Sequence, residues 1–181
     1  VEIKLWEKIR EKSLQGRRTG LGITAEGDML AALGYKYGTP EATKFSVNIH
    51  KTLSLNAYKS SITMAKERGS FQVWDKEKEF NNPFMQRIWE LLDDEYKQTY
   101  NETGRRNIAL LTIAPTGSVS IMTQTTSGIE PVFLPVYTRR RKVNPNDKNV
   151  KIVFTDEVGD HWEEYNVFHP KFKIWASKNG Y

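Results

Sequence analysis

Apolar residues recur with a helical period in the first part of the chain. Within residues 1–15 they occupy positions 3, 5, 6, 9 and 14, which predicts an amphipathic helix. Gly16 ends this helix, and Gly34 ends a second, shorter one predicted over residues 25–33.

Thr39-Pro40-Glu41 predicts the start of the longest helix. Thr39 can cap the helix, Pro40 has the backbone angle of a first turn, and Glu41 meets the positive end of the helix dipole. Neither Pro nor Gly then occurs before Gly69. One helix of about 30 residues follows, roughly 45 Å long.

The next segment alternates between loop and helix. Residues 70–81 are charged and without a period, which predicts a loop, and Asn82-Pro83 starts another helix. A helical pattern over residues 96–101 continues or resumes that helix until Gly104. A short helix is also predicted near the end, over residues 170–178.

Three segments have the pattern of extended chain. Residues 107–114 are apolar without alternation, which predicts a strand buried on both faces, as in a parallel sheet. Residues 133–143 and 150–155 also look extended. Because residues 144–149 have turn composition, these two segments predict an antiparallel hairpin.

The strand over 107–114 ends abruptly in small and hydroxyl-bearing residues. Pro115 is followed by Thr116, Gly117, Ser118, Val119 and Ser120. A helix starting near Ser118 would leave backbone N–H groups unpaired at its first turn, where an anion is attracted. The alternative is ordinary turn and N-cap chemistry. The loop has no lysine, so it is not a Walker A loop.

Composition narrows the classes of function. The chain has no cysteine, which excludes disulfides and thiol chemistry within it, and a net charge of +5, which favours anionic partners. No apolar run approaches the roughly 20 residues of a membrane span, and the N-terminus is not a signal peptide. We therefore expect a cytoplasmic protein with no membrane partner. Its first residue is Val1 and not Met, which suggests a fragment, although processing could also remove an initiator Met.

Charged clusters and histidines offer weaker candidates. Arg17-Arg18 could steer anions, neutralise nearby carboxylates or cap a helix. Residues 139–142 are all basic, but they fit no nucleic-acid-binding motif, so nucleic acid is not expected as a partner. His50 is expected to be structural, whereas His161 and His169 lie in a polar tail without evident partners; the three have no metal-ligand spacing.

Two long motifs resemble a known family. APTGSVSIMTQTTSGIEPVF (114–133) with YTRRRKV (137–143) is similar to the C-terminal part of the ribonucleotide reductase large chain, most like the adenosylcobalamin-dependent class. RRTGLGITAEGDMLAALGYKYGTPEA (17–42) resembles a second stretch of the same family, in the same order. The resemblance covers about residues 10–145.

The resemblance implies an α/β fold: the later portion of the reductase barrel, with helices on a short, mostly parallel sheet and a C-terminal antiparallel hairpin. It implies a partial barrel domain over residues 1–143 and a hairpin and helix extension over 144–181. Thr116, Gly117, Ser118, Val119 and Ser120 would bind the substrate's phosphates, and residues 127–131 would border the pocket. No catalytic or metal-binding residue is assigned.

This sequence lacks the cysteines that the family's reaction requires. That reaction needs a thiyl radical and a redox pair of cysteines. The resemblance therefore implies an inactive fragment of a ribonucleoside di- or triphosphate reductase, which would supply the phosphate loop and scaffold. The parent would use adenosylcobalamin, none of it bound by this fragment, and a thioredoxin-like reductant.

Partners follow from the same interpretation: a ribonucleotide substrate, the remainder of the reductase chain and, through unpaired strand edges, self-association. The alternative function is a stand-alone nucleotide- or nucleic-acid-binding module without catalysis.

Overall fold

The computed structural model describes residues 2–180 as a chain of helices with a small sheet near its C-terminal end. The elements in chain order are α1 (Glu2–Gly16), α2 (Glu26–Ala32), α3 (Pro40–Arg68), α4 (Lys76–Phe80), α5 (Pro83–Leu91), α6 (Asp94–Thr103), α7 (Gly117–Thr123), β1 (Val136–Lys142), β2 (Phe154–Thr155), β3 (His161–Phe168) and α8 (Phe172–Lys178). No helix among residues 2–180 combines the length and apolar character needed to cross a bilayer.

Local capping chemistry explains the long helix. The Thr39 side chain accepts from the Ala42 N–H at 3.4 Å, Pro40 occupies the first turn, and Gly69 follows the last residue with a positive φ of 78°. The predicted helices α1, α2, α5, α6 and α8 are likewise confirmed. The predicted loop over 70–81 is wrong in part, because Asp75 caps the short helix α4 through the Lys78 N–H at 2.9 Å.

The core lies where α3, α5 and α6 pack together. Its buried members are Tyr58, Ile62, Met85, Ile88, Leu92, Tyr100 and Leu110. Residues 129–180, by contrast, contain no buried residue. The helical part of the molecule therefore supplies most of the apolar burial that drives folding.

A buried ion pair lies beside this core. The Arg105 guanidinium is bound at two points by the Glu79 carboxylate, Nε to Oε2 at 2.7 Å and Nη2 to Oε1 at 2.8 Å. Tyr100 donates its hydroxyl to Glu79 Oε2 at 2.6 Å, and the rings of Tyr58 and Phe71 lie 5.5 and 5.3 Å from the guanidinium. Burial opposes the charge of Arg105, but the hydrogen bonds and charge of Glu79 raise its pKa above the ordinary value.

The α/β class is confirmed, but the mostly parallel sheet is not found among residues 2–180. The predicted strand over 107–114 is extended chain with one parallel bridge, Leu21 to Leu111. It is buried at Leu110, whereas Ile113 is 44% exposed. Among residues 2–180, backbone–backbone hydrogen bonds join this segment only to residues 16–21. A single short neighbour cannot build a multi-stranded ladder.

The C-terminal sheet has three antiparallel strands in the order β1-β3-β2. The predicted hairpin of residues 133–143 with 150–155 is therefore wrong in its pairing. β1 pairs with β3, from Val136 opposite Phe168 to Lys142 opposite Trp162, and β2 also pairs with β3. The division of the chain at 143/144 stays a prediction; β1 and β3 pair across it.

Candidate phosphate-binding site

The two motifs that carry the resemblance lie side by side. Residues 19–22 run along residues 109–112 and exchange backbone hydrogen bonds with them. Thr19 N–H donates to Ala109 C=O at 2.9 Å, Leu21 N–H to Leu110 C=O at 2.8 Å, and Thr112 N–H to Leu21 C=O at 3.0 Å. This contact brings the beginning of α2 close to the loop that precedes α7.

Glycines permit this close approach. A Cβ on Gly22 would lie 1.9 Å from the Thr112 carbonyl oxygen, and one on Gly20 would lie 2.7 Å from the Thr112 methyl. A Cβ on Gly27 would lie 2.4 Å from the Glu130 carbonyl oxygen. Close backbone contact with Thr112 and with Glu130 thus requires Gly22 and Gly27, whereas Gly20 approaches a side chain.

Thr116 is held in the left-handed region, at φ 46° and ψ 29°. Its hydroxyl accepts from the Gly128 N–H at 2.9 Å and lies 3.2 Å from the Thr24 hydroxyl. Thr24 donates its single proton to the Thr126 carbonyl at 3.2 Å, so Thr116 must be the donor to Thr24. This chain of hydrogen bonds fixes a conformation that costs a threonine energy.

The N-terminus of α2 holds the far side of the loop. Asp28 N–H donates to Thr126 Oγ1 and Thr126 N–H donates to Asp28 Oδ2, both at 3.3 Å. Glu26 N–H donates to the Gly128 carbonyl at 3.2 Å. Sequence reasoning assigned no role to Thr24, Asp28 or Thr126. Thr24 precedes the first turn of α2 and Asp28 lies in it; acidic residues in a first turn are a recognisable signal of a helix start.

The first turn of α7 faces outward. No protein acceptor among residues 2–180 takes the N–H groups of Gly117, Ser118 or Val119. Apart from its chain neighbours and the backbone of α7, no atom among residues 2–180 lies within 4 Å of the position that a Cβ on Gly117 would occupy, and all three residues are exposed. The arrangement can therefore offer three main-chain donors and the Ser118 hydroxyl to an anionic group.

The other two predicted residues are used inside the protein. Ser120 N–H donates to the Thr116 carbonyl and Ser120 Oγ to the Gly117 carbonyl, both at 2.8 Å. The Thr116 hydroxyl is committed to the bonds with Thr24 and Gly128. The structure thus brings all five residues into one turn and leaves the N–H groups of residues 117–119 without acceptors among residues 2–180.

Residues 127–131 lie beside this turn and form a bend of their own. Glu130 N–H donates to the Ser127 carbonyl at 3.2 Å, and Gly128 has a positive φ of 49°. Tyr37 donates its hydroxyl to the Ile129 carbonyl at 2.9 Å. The bend is therefore anchored to the segment between α2 and α3.

The histidines have structural partners. His50 Nε2 lies 2.7 Å from a Glu26 carboxylate that is almost fully buried, which confirms its structural role. His161 and His169 have no partners evident in the sequence, and folding places their ring nitrogens 2.8 Å from Thr155 Oγ1 and 3.6 Å from Asp28 Oδ1, respectively. Within residues 2–180, no three His, Cys, Asp or Glu side chains cluster as metal ligands do.

The basic cluster of β1 faces carboxylates of the neighbouring strand β3 and of the turns beside it. Arg140 pairs with Glu164, and Arg141 with Glu163 and, at 3.3 Å, with Asp147. Lys142 also pairs with an acidic residue, in the turn before β3. Most of the positive charge that could attract a nucleic acid is therefore neutralised.

Comparison with known proteins agrees with this architecture. The family model described as "Ribonucleotide reductase, barrel domain" matches residues 2–168. The chain therefore belongs to the ribonucleotide reductase barrel-domain family, which confirms the resemblance drawn from the two motifs.

Individual relatives match a small part of their own length. The chain is 29% identical over 133 residues to a vitamin B12-dependent ribonucleoside-diphosphate reductase of Mycobacterium tuberculosis, covering 73% of the chain and 16% of the relative. It is 29% identical over 163 residues to one of Thermoplasma acidophilum, covering 87% and 18%. A ribonucleoside-diphosphate reductase subunit alpha of Helicobacter pylori is 28% identical over 145 residues, covering 70% and 18%. The chain thus spans less than a fifth of these relatives.

Proposed function

We propose that this chain supplies the substrate-phosphate-binding loop and part of the scaffold of a ribonucleotide reductase. One observation carries the proposal: the N–H groups of the exposed residues Gly117, Ser118 and Val119 have no acceptor among residues 2–180, on a turn that the Thr116 and Ser120 hydroxyls hold from within. A preorganised set of main-chain donors suits phosphate oxygens, since it costs no reorganisation on binding.

The residues of the loop have two roles, phosphate binding and positioning. Gly117, Ser118 and Val119 donate main-chain hydrogen bonds to the phosphate, and the Ser118 hydroxyl adds one more. Thr116 and Ser120 act as positioning residues, since their polar groups hold the turn from within. The hydrogen-bond chain from Gly128 through Thr116 and Thr24 keeps the three donors in place.

The parent enzyme would reduce a ribonucleoside diphosphate, the substrate named for the relatives from Mycobacterium tuberculosis, Thermoplasma acidophilum and Helicobacter pylori. Two of these are named as vitamin B12-dependent, so we expect adenosylcobalamin, which supplies the radical that starts such chemistry, as the parent's cofactor. No residue of this chain is assigned to the cofactor. Because the chain has no cysteine, the radical and reducing thiols would come from other polypeptide, and the chain alone would be inactive.

A stand-alone nucleic-acid-binding module is less well supported. Its main feature was the basic cluster of residues 139–142, and three of those four residues are paired with carboxylates. Nucleic-acid affinity rests on free cations that replace the counterions of phosphates.

A titration of the 181-residue chain with a nucleoside diphosphate tests the proposal. We expect the amide NMR signals of Gly117, Ser118 and Val119 to shift saturably and weakly. Ser118→Pro removes an N–H in the first helical turn, where proline is tolerated, and should reduce the shifts strongly. Ser118→Ala, which keeps the N–H, should reduce them only slightly. Unshifted amides in this turn, or equal losses in the two variants, would contradict main-chain phosphate binding.

A further inference from the structure

A second group of cations, unlike that of β1, has no carboxylate partners. It lines a pocket of about 440 Å³ beside the C-terminal end of α1, formed by Lys8, Ile9, Lys12, Ser13, Arg17 and Arg18. None of these four cations forms an ion pair with any residue in the part of the chain that is described, residues 2–180. The pocket therefore holds four positive charges that the protein does not neutralise.

The nearby carboxylates do not approach these cations. Lys12 donates to the neutral side chain of Gln15 at 3.1 Å, and Gln15 in turn donates to the Glu11 carboxylate at 3.2 Å. The positive surface also continues beyond the pocket. Burial, together with the positive charges of Arg17 and Arg68, lowers the pKa of Arg106. Folding has thus gathered like charges here without compensating them.

Arg17 is tied to the rest of the fold through its backbone. Its backbone adopts the left-handed region at φ 46°, its N–H donates to the Ser13 carbonyl at 2.8 Å, and its carbonyl accepts from Asn107 Nδ2 at 2.8 Å. Asn107 is itself buried and bonded to Ser61. The Arg17 Nε atom is buried with no hydrogen-bond acceptor among residues 2–180, which is costly.

We propose that this pocket binds a multiply charged phosphate group, such as the di- or triphosphate of a small molecule. Four cations around one concave surface outweigh the partial negative charge, roughly half a unit, at the end of α1. Arginine donors match phosphate oxygens in geometry, and lysine adds point charge. Ile9 is 44% exposed and gives the pocket an apolar wall. The site shares no residue with the turn at 116–120 and does not depend on the proposed function.

Tripolyphosphate is the probe for this site, titrated into the 181-residue chain at constant ionic strength. We expect saturable shifts of the amides of residues 12–18. Lys12→Gln combined with Arg18→Gln should weaken binding by on the order of tenfold or more, because each removed charge faces several negative charges at short range. The matched control, Arg139→Gln with Lys151→Gln, removes the same net charge outside the pocket and should change affinity by less than about twofold.

Specific outcomes decide the matter. Equal weakening in the pocket variant and the control would show non-specific attraction and overturn the proposal, as would unsaturable or absent shifts at residues 12–18. Thermal unfolding and the amide spectrum of each variant establish that both remain folded. Ser118→Pro should leave tripolyphosphate binding at this pocket unchanged, which separates a failure here from a failure of the phosphate loop.

Discussion

The helical core and the C-terminal sheet use arginine–carboxylate pairs in opposite ways. In the core, Arg105 is 4% exposed and is bound at two points to Glu79 under two aromatic rings. In the sheet, the side chains of Arg140 and Arg141 remain 65% and 44% exposed although each has a carboxylate partner. The same chemical pair is therefore an anchor in one region and a solvated surface contact in the other.

The difference teaches what holds each region. The core excludes water, so a charge there depends on its partner for the solvation that it has lost. The sheet relies on its backbone ladder and on contacts such as the stacked rings of Phe154 and Trp162, since no residue of 129–180 is buried. Local opening should accordingly begin in the sheet. Three predictions test this contrast.

The largest effect is expected when the buried pair is broken. Glu79→Gln leaves the Arg105 charge buried without its counterion, which should lower the free energy of unfolding by about 3–5 kcal/mol. Urea unfolding measures this loss. Glu163→Gln in β3 is the matched control, and its effect should be much smaller. A loss at Glu79 no greater than at Glu163 would refute the distinction between the regions.

Removing one hydroxyl from the core should have an intermediate effect. Tyr100→Phe deletes the bond to Glu79 Oε2, and leaving a buried acceptor short of a donor costs about 1–3 kcal/mol. Tyr165→Phe in β3 removes a hydroxyl from a side chain that is 39% exposed and should be nearly neutral. Unfolding of both variants under the same conditions makes the comparison; similar losses would show that burial does not decide the cost.

The smallest effect is expected on acidification of the turn between β2 and β3. Hydrogen bonds from the Trp162 indole and the Asp160 N–H lower the pKa of Asp156. A carboxyl with a lowered folded pKa stabilises the turn above its unfolded value of about 4, and the contribution is lost as pH falls through the folded value.

An NMR titration from about pH 6 to about pH 2, which brackets the ordinary pKa of a carboxyl group, follows the indole signal of Trp162 and the amide signal of Asp160. Both should change below about pH 4 while the core signals stay constant. Asp156→Asn should abolish this pH dependence. Signals that stay unchanged throughout, or a variant that retains the transition, would contradict the claim that ionised Asp156 stabilises this turn.

Several features of the fold could be predicted because their causes are local. The side chains of Thr39 and Asn82 cap helices by accepting hydrogen bonds from residues two or three positions later. The starts of α3 and α5 can therefore be predicted from a few neighbouring residues. The start of α7 is also close to its predicted position. The pairing of β3 could not be predicted in this way. In the sequence, Glu163 and Glu164 belong to a polar segment, and only the sheet register places them opposite Arg141 and Arg140.

The candidate site shows the same limit. The small polar residues after Pro115 were enough to predict a turn with free main-chain donors, and the two motifs were enough to predict the family. Which donors stay free depends on Thr24 and Asp28, which lie far from Thr126 in the chain and meet it only when residues 19–22 align with 109–112.

The sequence by itself determined the starts of the capped helices α3 and α5 and the family, because each depends on residues close together in the chain or on a long continuous motif. Only the tertiary structure decided which cations are neutralised and which remain free. Arg140 and Arg141 meet carboxylates on the neighbouring strand, whereas Arg17 and Arg18 form no ion pair within residues 2–180. Coulomb attraction acts through distance in space, and that distance is set by chain pairing rather than by separation along the sequence.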